Sequence, residues 1–212
     1  MLIHVMRRGA IKPYCGYSLT ELLVACSLAS IVISAVATQA ARSHIAYSSI
    51  QHATSVEDDI RALQSTITQH LSKAGFVYSP NTLSPFGATT IENTVFEITT
   101  GHRANEPENS CVTFSYDKNK DGVVSQAQGE FFGYRLHDNA IEYRVAGHSC
   151  IQSGWYDLTD TQTTVATKFT VNRRHSSSWG SAYEIEIELH SKVDPTVKSA
   201  RTFIVEAVNA YY

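Results

Sequence analysis

From Leu22 to Ala41 the chain carries no charged residue: LLVACSLASIVISAVATQAA. Twenty residues at the helical rise span about 30 Å, the thickness of a bilayer core. A different pattern follows. Val56, Ile60, Leu63, Ile67, Leu71 and Ala74 step by four, three, four, four and three residues, which sets them on one helical face. Glu57, Asp58, Asp59, Arg61 and Gln64 take the remaining positions. The two patterns predict a membrane-length helix over 17–41 and an amphipathic stem helix over 42–75, with Gly75 as its C-terminal stop. Ser55 followed three residues later by Asp58 has capping-box spacing, which allows a break near Thr54.

Beyond the stem, segment 76–93 holds Pro80, Pro85 and Gly87 and reads as a loop. From Val95 the pattern turns to short strands. Cys111 to Tyr116 alternates, and Phe131–Leu136 with Ala140–Val145 flanks His137-Asp138-Asn139 as a hairpin. Val165–Val171 is another strand candidate. Tyr183-Glu184-Ile185-Glu186-Ile187-Glu188-Leu189 alternates strictly, with one acidic and one apolar face. Arg201–Val208 pairs with it across Asp194-Pro195-Thr196. One long helix and then strands predicts an α+β fold, the helix packed on antiparallel β-sheet. The expected organisation is a leader over 1–16, a membrane helix over 17–41, a stem helix over 42–75 and a β-rich head over 76–212.

Charge fixes the orientation. The first sixteen residues contain Arg7, Arg8 and Lys12 and no acid, so they stay in the cytoplasm and everything after Ala41 is exported. A secretory signal peptide is the ordinary alternative, with Ala35-Val36-Ala37 as its cleavage site. The apolar run is longer than a usual signal core. It also opens on an isolated acid, Glu21, and an ionisable residue at the edge of a membrane segment is a functional candidate. Gly16 followed by YSLTELLVA resembles the processing motif of prepilins: a Gly, an aromatic residue, three residues and a Glu. The resemblance implies a pilin-like fold and cleavage after Gly16 by a prepilin peptidase. It also implies N-methylation of Tyr17, and a Glu21 that pairs with the amino group of a neighbouring subunit. Tyr17 stands where Phe is usual. Thr38 stands where major pilins carry a helix-kinking proline, which fits a minor pilin.

The block CVTFSYDKNKDGVV, EFFGYRL, AIEYR and GWYDLTD, over residues 111–160, is similar to the PilW group of minor pilins. The prepilin-peptidase-dependent protein B of enterobacteria and the pseudopilin J of type II secretion belong to the same branch. The implied protein is a minor pilin. It would sit in the inner membrane with one span and a periplasmic head, then enter a surface pilus with other minor and major pilins. A type II secretion pseudopilin is the related alternative, and a periplasmic binding protein with a cleaved signal the distant one.

Of the four cysteines, Cys15 leaves with the leader and Cys26 lies in the membrane segment. Cys111 and Cys150 lie in the exported part, where an oxidising periplasm favours a disulfide; two buried free thiols are the alternative. Asp117-Lys118-Asn119-Lys120-Asp121-Gly122 copies the first half of a calcium loop, with Asp117, Asn119 and Asp121 as oxygen donors. The twelfth position is Gln128, and Glu130 comes two residues late, so an Asx-rich turn is the competing reading. Calcium is the cofactor candidate and no other is indicated. The net charge of −3 argues against wholesale nucleic-acid binding. Arg173-Arg174-His175, read as a solvated loop, is the one small basic cluster that would touch DNA in an uptake pilus. Neither an HExxH pair nor a GxSxG elbow occurs, so no enzyme is expected.

Overall fold

The computed structural model describes residues 16–78, 98–177 and 180–210. The leader up to Cys15 and most of the expected loop over 76–93 lie outside the described residues. The chain divides into two compact units, one up to Ser48 and one from Ser49. Helix α1 (Leu19–Leu71) contributes to both.

No Gly or Pro occurs between Tyr17 and Ala74, so nothing in the backbone chemistry interrupts the helical ladder. The capping-box spacing at Ser55 and Asp58 therefore does not produce a break. Thr54 and Ser55 are mid-helix, because hydrogen bonds continue on both sides of them. In the second unit, the stripe Val56, Ile60, Leu63, Ile67 and Leu71 is buried. Three residues past the helix, Ala74 is buried too. The chain then turns at Gly75, whose φ is +79° and whose N–H donates to Ser115 O at 2.9 Å. A Cβ there would run into the Asn209 carbonyl, so the turn requires glycine.

Among the described residues eight strands form two antiparallel sheets. The first runs β1 (Thr99–Gly101), β2 (Cys111–Ser115), β3 (Phe131–His137), β4 (Ala140–Tyr143), β5 (Tyr156–Asp157) in spatial order. The second runs β6 (Thr164–Ser177), β7 (Gly180–Ser191), β8 (Lys198–Ala207). The β3–β4 hairpin turns on Asp138 and Asn139, both with positive φ, as a two-residue loop requires. In β7, Tyr183, Ile185, Ile187 and Leu189 are buried while Glu184, Glu186 and Glu188 face outward. Those buried residues join the helical stripe, Phe169 and Val171 of β6, and Val112, Phe114, Tyr134 and Ile141 of the first sheet in one core.

One strand adds detail to the expected run from Val95, and one expectation changes. Strand β1 is a three-residue segment, Thr99 to Gly101, too short for any periodic signal. Arg173-Arg174-His175 is strand rather than loop: β6 carries it along β7 with Arg173 opposite Tyr183 and His175 opposite Ala182. Arg174 falls in a bulge between them and pairs with Glu184 through both carboxylate oxygens at 2.6 Å. Composition alone favours a loop there; pairing with β7, which continues to Ser177 opposite Gly180, carries the strand through it.

The core predicts its own mutational response. Ile60 is fully buried, so Ile60→Ala should lower head stability by about 2–5 kcal/mol in urea unfolding. Ile31 is 66% exposed, and Ile31→Ala should leave the same transition unmoved.

Candidate functional site

Gly16, Tyr17 and Glu21 stand at the start of the apolar helix, all exposed. Ser18 precedes the first helical residue, and Glu21 reaches back so that its Oε2 accepts the Ser18 N–H at 2.9 Å. Glu21 thus satisfies one of the donors left over at a helix start, and its charge lies at the positive end of the helix dipole. The sequence carried this signal in the spacing Ser18-x-x-Glu21, a role for Glu21 that the prepilin motif does not mention.

The helix that follows is apolar on every side. Leu22, Leu23, Leu28, Ile31, Val32 and Val36 are each about 60% exposed or more. It is the one described helix long and apolar enough to cross a membrane, by length and composition. Its hydroxyls turn onto the helix itself. Ser27 donates to Val24 O, Ser30 to Ser27 O, Ser34 to Ser30 O and Thr38 to Ala35 O, at 2.7–2.8 Å. No hydroxyl proton in this run is left to face hydrocarbon, which suits a helix whose surroundings offer no partner. The helix passes through Thr38 without interruption. Cys26 is an exposed free thiol in the same run.

In the head, Cys111 and Cys150 are joined, with Cα atoms 6.0 Å apart. The bond ties the first residue of β2 to the loop after β4. A guanidinium fixes the same loop from below. Arg135, only 2% exposed, meets Glu142 at 2.5 Å and donates through Nη1 to Cys150 O and Gln152 O, each at 2.7 Å. Trp155 covers that guanidinium at 4.6 Å and donates its own Nε1–H to Ser149 O. Arg144 holds the near side through His148 O and Gly147 O. The string of short similarities over 111–160 therefore folds into one clamp: a disulfide, two arginines and a tryptophan around a single loop.

Asp117 and Glu130 are both buried. Asp117 accepts the N–H groups of Lys120 at 2.6 Å, Gly122 at 2.8 Å and Tyr78 at 3.1 Å. Glu130 accepts those of Lys118, Asn119 and Ser125. Asp121 takes the Asn119 amide, the Gln128 amide and the Val123 N–H, and these hold its carboxyl below the usual carboxylate range, the Asn119 bond contributing most. The late Glu130 is thus a second anchor for the loop. Each carboxylate faces hydrogen-bond donors, the surroundings of an anion satisfied by its own backbone. Among the described residues no group of three or more His, Cys, Asp or Glu is arranged to hold a metal ion.

A cavity of about 370 Å³ opens beside the stem, lined by Thr66, His70, Phe131, Tyr134, Tyr143 and Leu158 among others. His70 Nδ1 lies 2.5 Å from the Tyr134 hydroxyl, and the Phe132 ring is 5.1 Å away. Burial, helped by Lys73 and Lys118, pushes the His70 pKa below its ordinary 6.5. Burial pushes the Tyr134 hydroxyl up. Arg174 of the basic cluster is paired with Glu184, which weakens the cluster as a phosphate footprint.

A family model described as prepilin peptidase-dependent protein B matches residues 49–207. The prepilin peptidase-dependent protein B of Escherichia coli (strain K12) is 22% identical over 197 residues, which covers 92% of this chain and 96% of that protein. No solved structure matches significantly.

Three outcomes follow from this geometry. Asp117→Ala strands three backbone donors and should lower head stability by about 3 kcal/mol in a thermal or urea melt. Millimolar calcium should leave the wild-type melt unmoved, and a calcium-dependent rise would reverse that expectation. At His70 the folded pKa lies below the unfolded one, so the unfolded chain takes up the proton first as pH drops below 6.5. The stability present above that pH is then lost as pH falls through the folded value. His70→Gln should flatten the fall in melting temperature between about pH 7 and pH 5.

Proposed function

The chain belongs to the prepilin peptidase-dependent protein B family, and we propose that it is a minor pilin that primes type IV pilus assembly and sits at or near the pilus tip. The observation that carries the reading is the apolar helix beginning directly behind Gly16-Tyr17, exposed on every side and capped by Glu21. A prepilin peptidase removes the leader after Gly16, and the new Tyr17 amino group is N-methylated. The chain then waits in the inner membrane with its head in the periplasm. Its partners are other minor and major pilins. It acts as a structural subunit rather than as an enzyme.

The physical logic lies in Glu21. In the single chain its carboxylate is exposed and turned onto Ser18. In a filament core the same carboxylate would lose its water, and an unpaired charge there is costly. The Tyr17 amino group of the adjoining subunit supplies the counter-charge. Residues beyond Ala41 take no part in that pairing; the head supplies the contacts that select neighbours.

Gly16→Ala should leave the leader attached, read by N-terminal sequencing. Glu21→Ala should be processed yet absent from pili. Glu21→Gln separates two roles, since glutamine keeps the cap on Ser18 but not the charge. The proposal expects it to fail in assembly as Ala does. Pili of normal number from the Glu21 variants, or a mature chain starting near Thr38, would refute the reading.

A further inference from the structure

We infer that the outer edge of β8 is a docking site for an extended β-strand of a neighbouring, non-identical filament subunit. The two edges of the β6–β7–β8 sheet differ. Strand β6 is interrupted by two register shifts, between Ala166 and Lys168 and between Arg173 and His175. Bulges of this kind blunt an edge against further pairing. Strand β8 has none. Its register with β7 runs unbroken from Ser181↔Ala207 to His190↔Lys198 over ten pairs, and it contains no proline.

The direction of the free main-chain groups follows from the ladder. Ser191 N–H donates to Val197 O at 2.9 Å, one step beyond the His190↔Lys198 pair. Hydrogen-bonded and non-hydrogen-bonded pairs alternate in an antiparallel ladder. Ser199, Arg201, Phe203 and Val205 therefore turn their N–H and C=O groups toward β7. Lys198, Ala200, Thr202, Ile204 and Glu206 turn theirs away from β7, where no described strand pairs with them. Among the described residues, no backbone bond outside the ladder reaches 198–206.

The outward side chains define what fits. Charges stand at the ends, Lys198 and Glu206, and Ala200, Thr202 and Ile204 lie between them, all exposed, Ile204 at 61%. A matching strand carries apolar or β-branched residues at its centre, an acid opposite Lys198 and a base opposite Glu206. An antiparallel second copy does not fit in a membrane-anchored pair, a point that rests on the pilin reading. Glu57 meets Ser199 and Arg201, while Gly75 lies against Asn209, so the stem and β8 run the same way. An antiparallel β8–β8 pair would turn one stem end over end, and two chains in one membrane cannot both accept that.

The test uses the full chain in the cells that make it. A photo-crosslinking side chain is placed at Thr202, with Val193, 70% exposed in the β7–β8 turn, as the control position. The inference expects a heteromeric adduct from position 202 and none from 193, mapping to an extended segment of another pilin-like subunit. Ile204→Pro removes one outward donor and should cut the yield about tenfold, the effect of one or two lost main-chain bonds. Its melting temperature should stay within a few degrees of wild type, whereas Phe203→Pro, which removes a donor to β7, should lower it sharply. A homodimer, an absent adduct, an adduct outside an extended segment, a yield unchanged by Ile204→Pro, or an Ile204→Pro that melts like Phe203→Pro would each overturn the inference. The adduct is read on the membrane-held chain, so it decides the β8 edge independently of whether the Glu21 variants still make pili.

Discussion

The apolar stripe Val56, Ile60, Leu63, Ile67 and Leu71 is the contact on which the head depends. Neither sheet has a core of its own. The β6–β7–β8 sheet is three strands wide and presents Phe169, Ile185 and Ile187 on one face; the other sheet presents Val112, Phe114 and Ile141. A sheet of that width is marginal in water until its apolar face is covered. The helical stripe joins both faces in one cluster, and polar contacts fix its register. Thr164 donates to Asp59 at 2.6 Å, and Glu57 takes Ser199 at 2.7 Å together with Arg201. The Ser199 bond does most to hold the Glu57 carboxyl below its ordinary range.

The same helix meets the opposite solvent requirement before Arg42. There its side chains are apolar all round and its hydroxyls are folded back on their own carbonyls. A helix apolar on every side has the composition of a membrane span, whereas one that must pin two sheets needs a single apolar face. The two halves of α1 follow those two demands, and the change from one pattern to the other falls after Ala41.

The buried charges of the head divide by partner. Arg135 is buried with a carboxylate, two carbonyls and an aromatic face, so its desolvation is offset on every side. Asp117 and Glu130 are offset by backbone N–H groups instead. The first arrangement clamps the disulfide loop; the second shapes the loop between β2 and β3. Asp117 bonds mainly N–H groups three and five residues on, inside the half-matching calcium pattern, whereas Glu130 reaches back to Lys118 and Asn119, outside any short motif.

The sequence by itself determined the elements whose signal is local and periodic. The membrane run, the stem stripe, the β3–β4 hairpin and the alternation of β7 were all legible, because each depends on spacing within one segment. Gly16, Tyr17 and Glu21 were legible as a motif, and the Ser18 cap was present in the same letters. What only the tertiary structure decided depends on partners far along the chain. The strand through Arg173-Arg174-His175 exists because β7 pairs alongside it out to Gly180. The helix passes Ser55 because its ladder and its buried face continue on both sides. The open edge of β8 has no sequence signature at all: Thr202 and Ile204 read as ordinary strand residues. Among the described residues the sheet ends at that strand, and where a sheet ends is a property of the assembled fold.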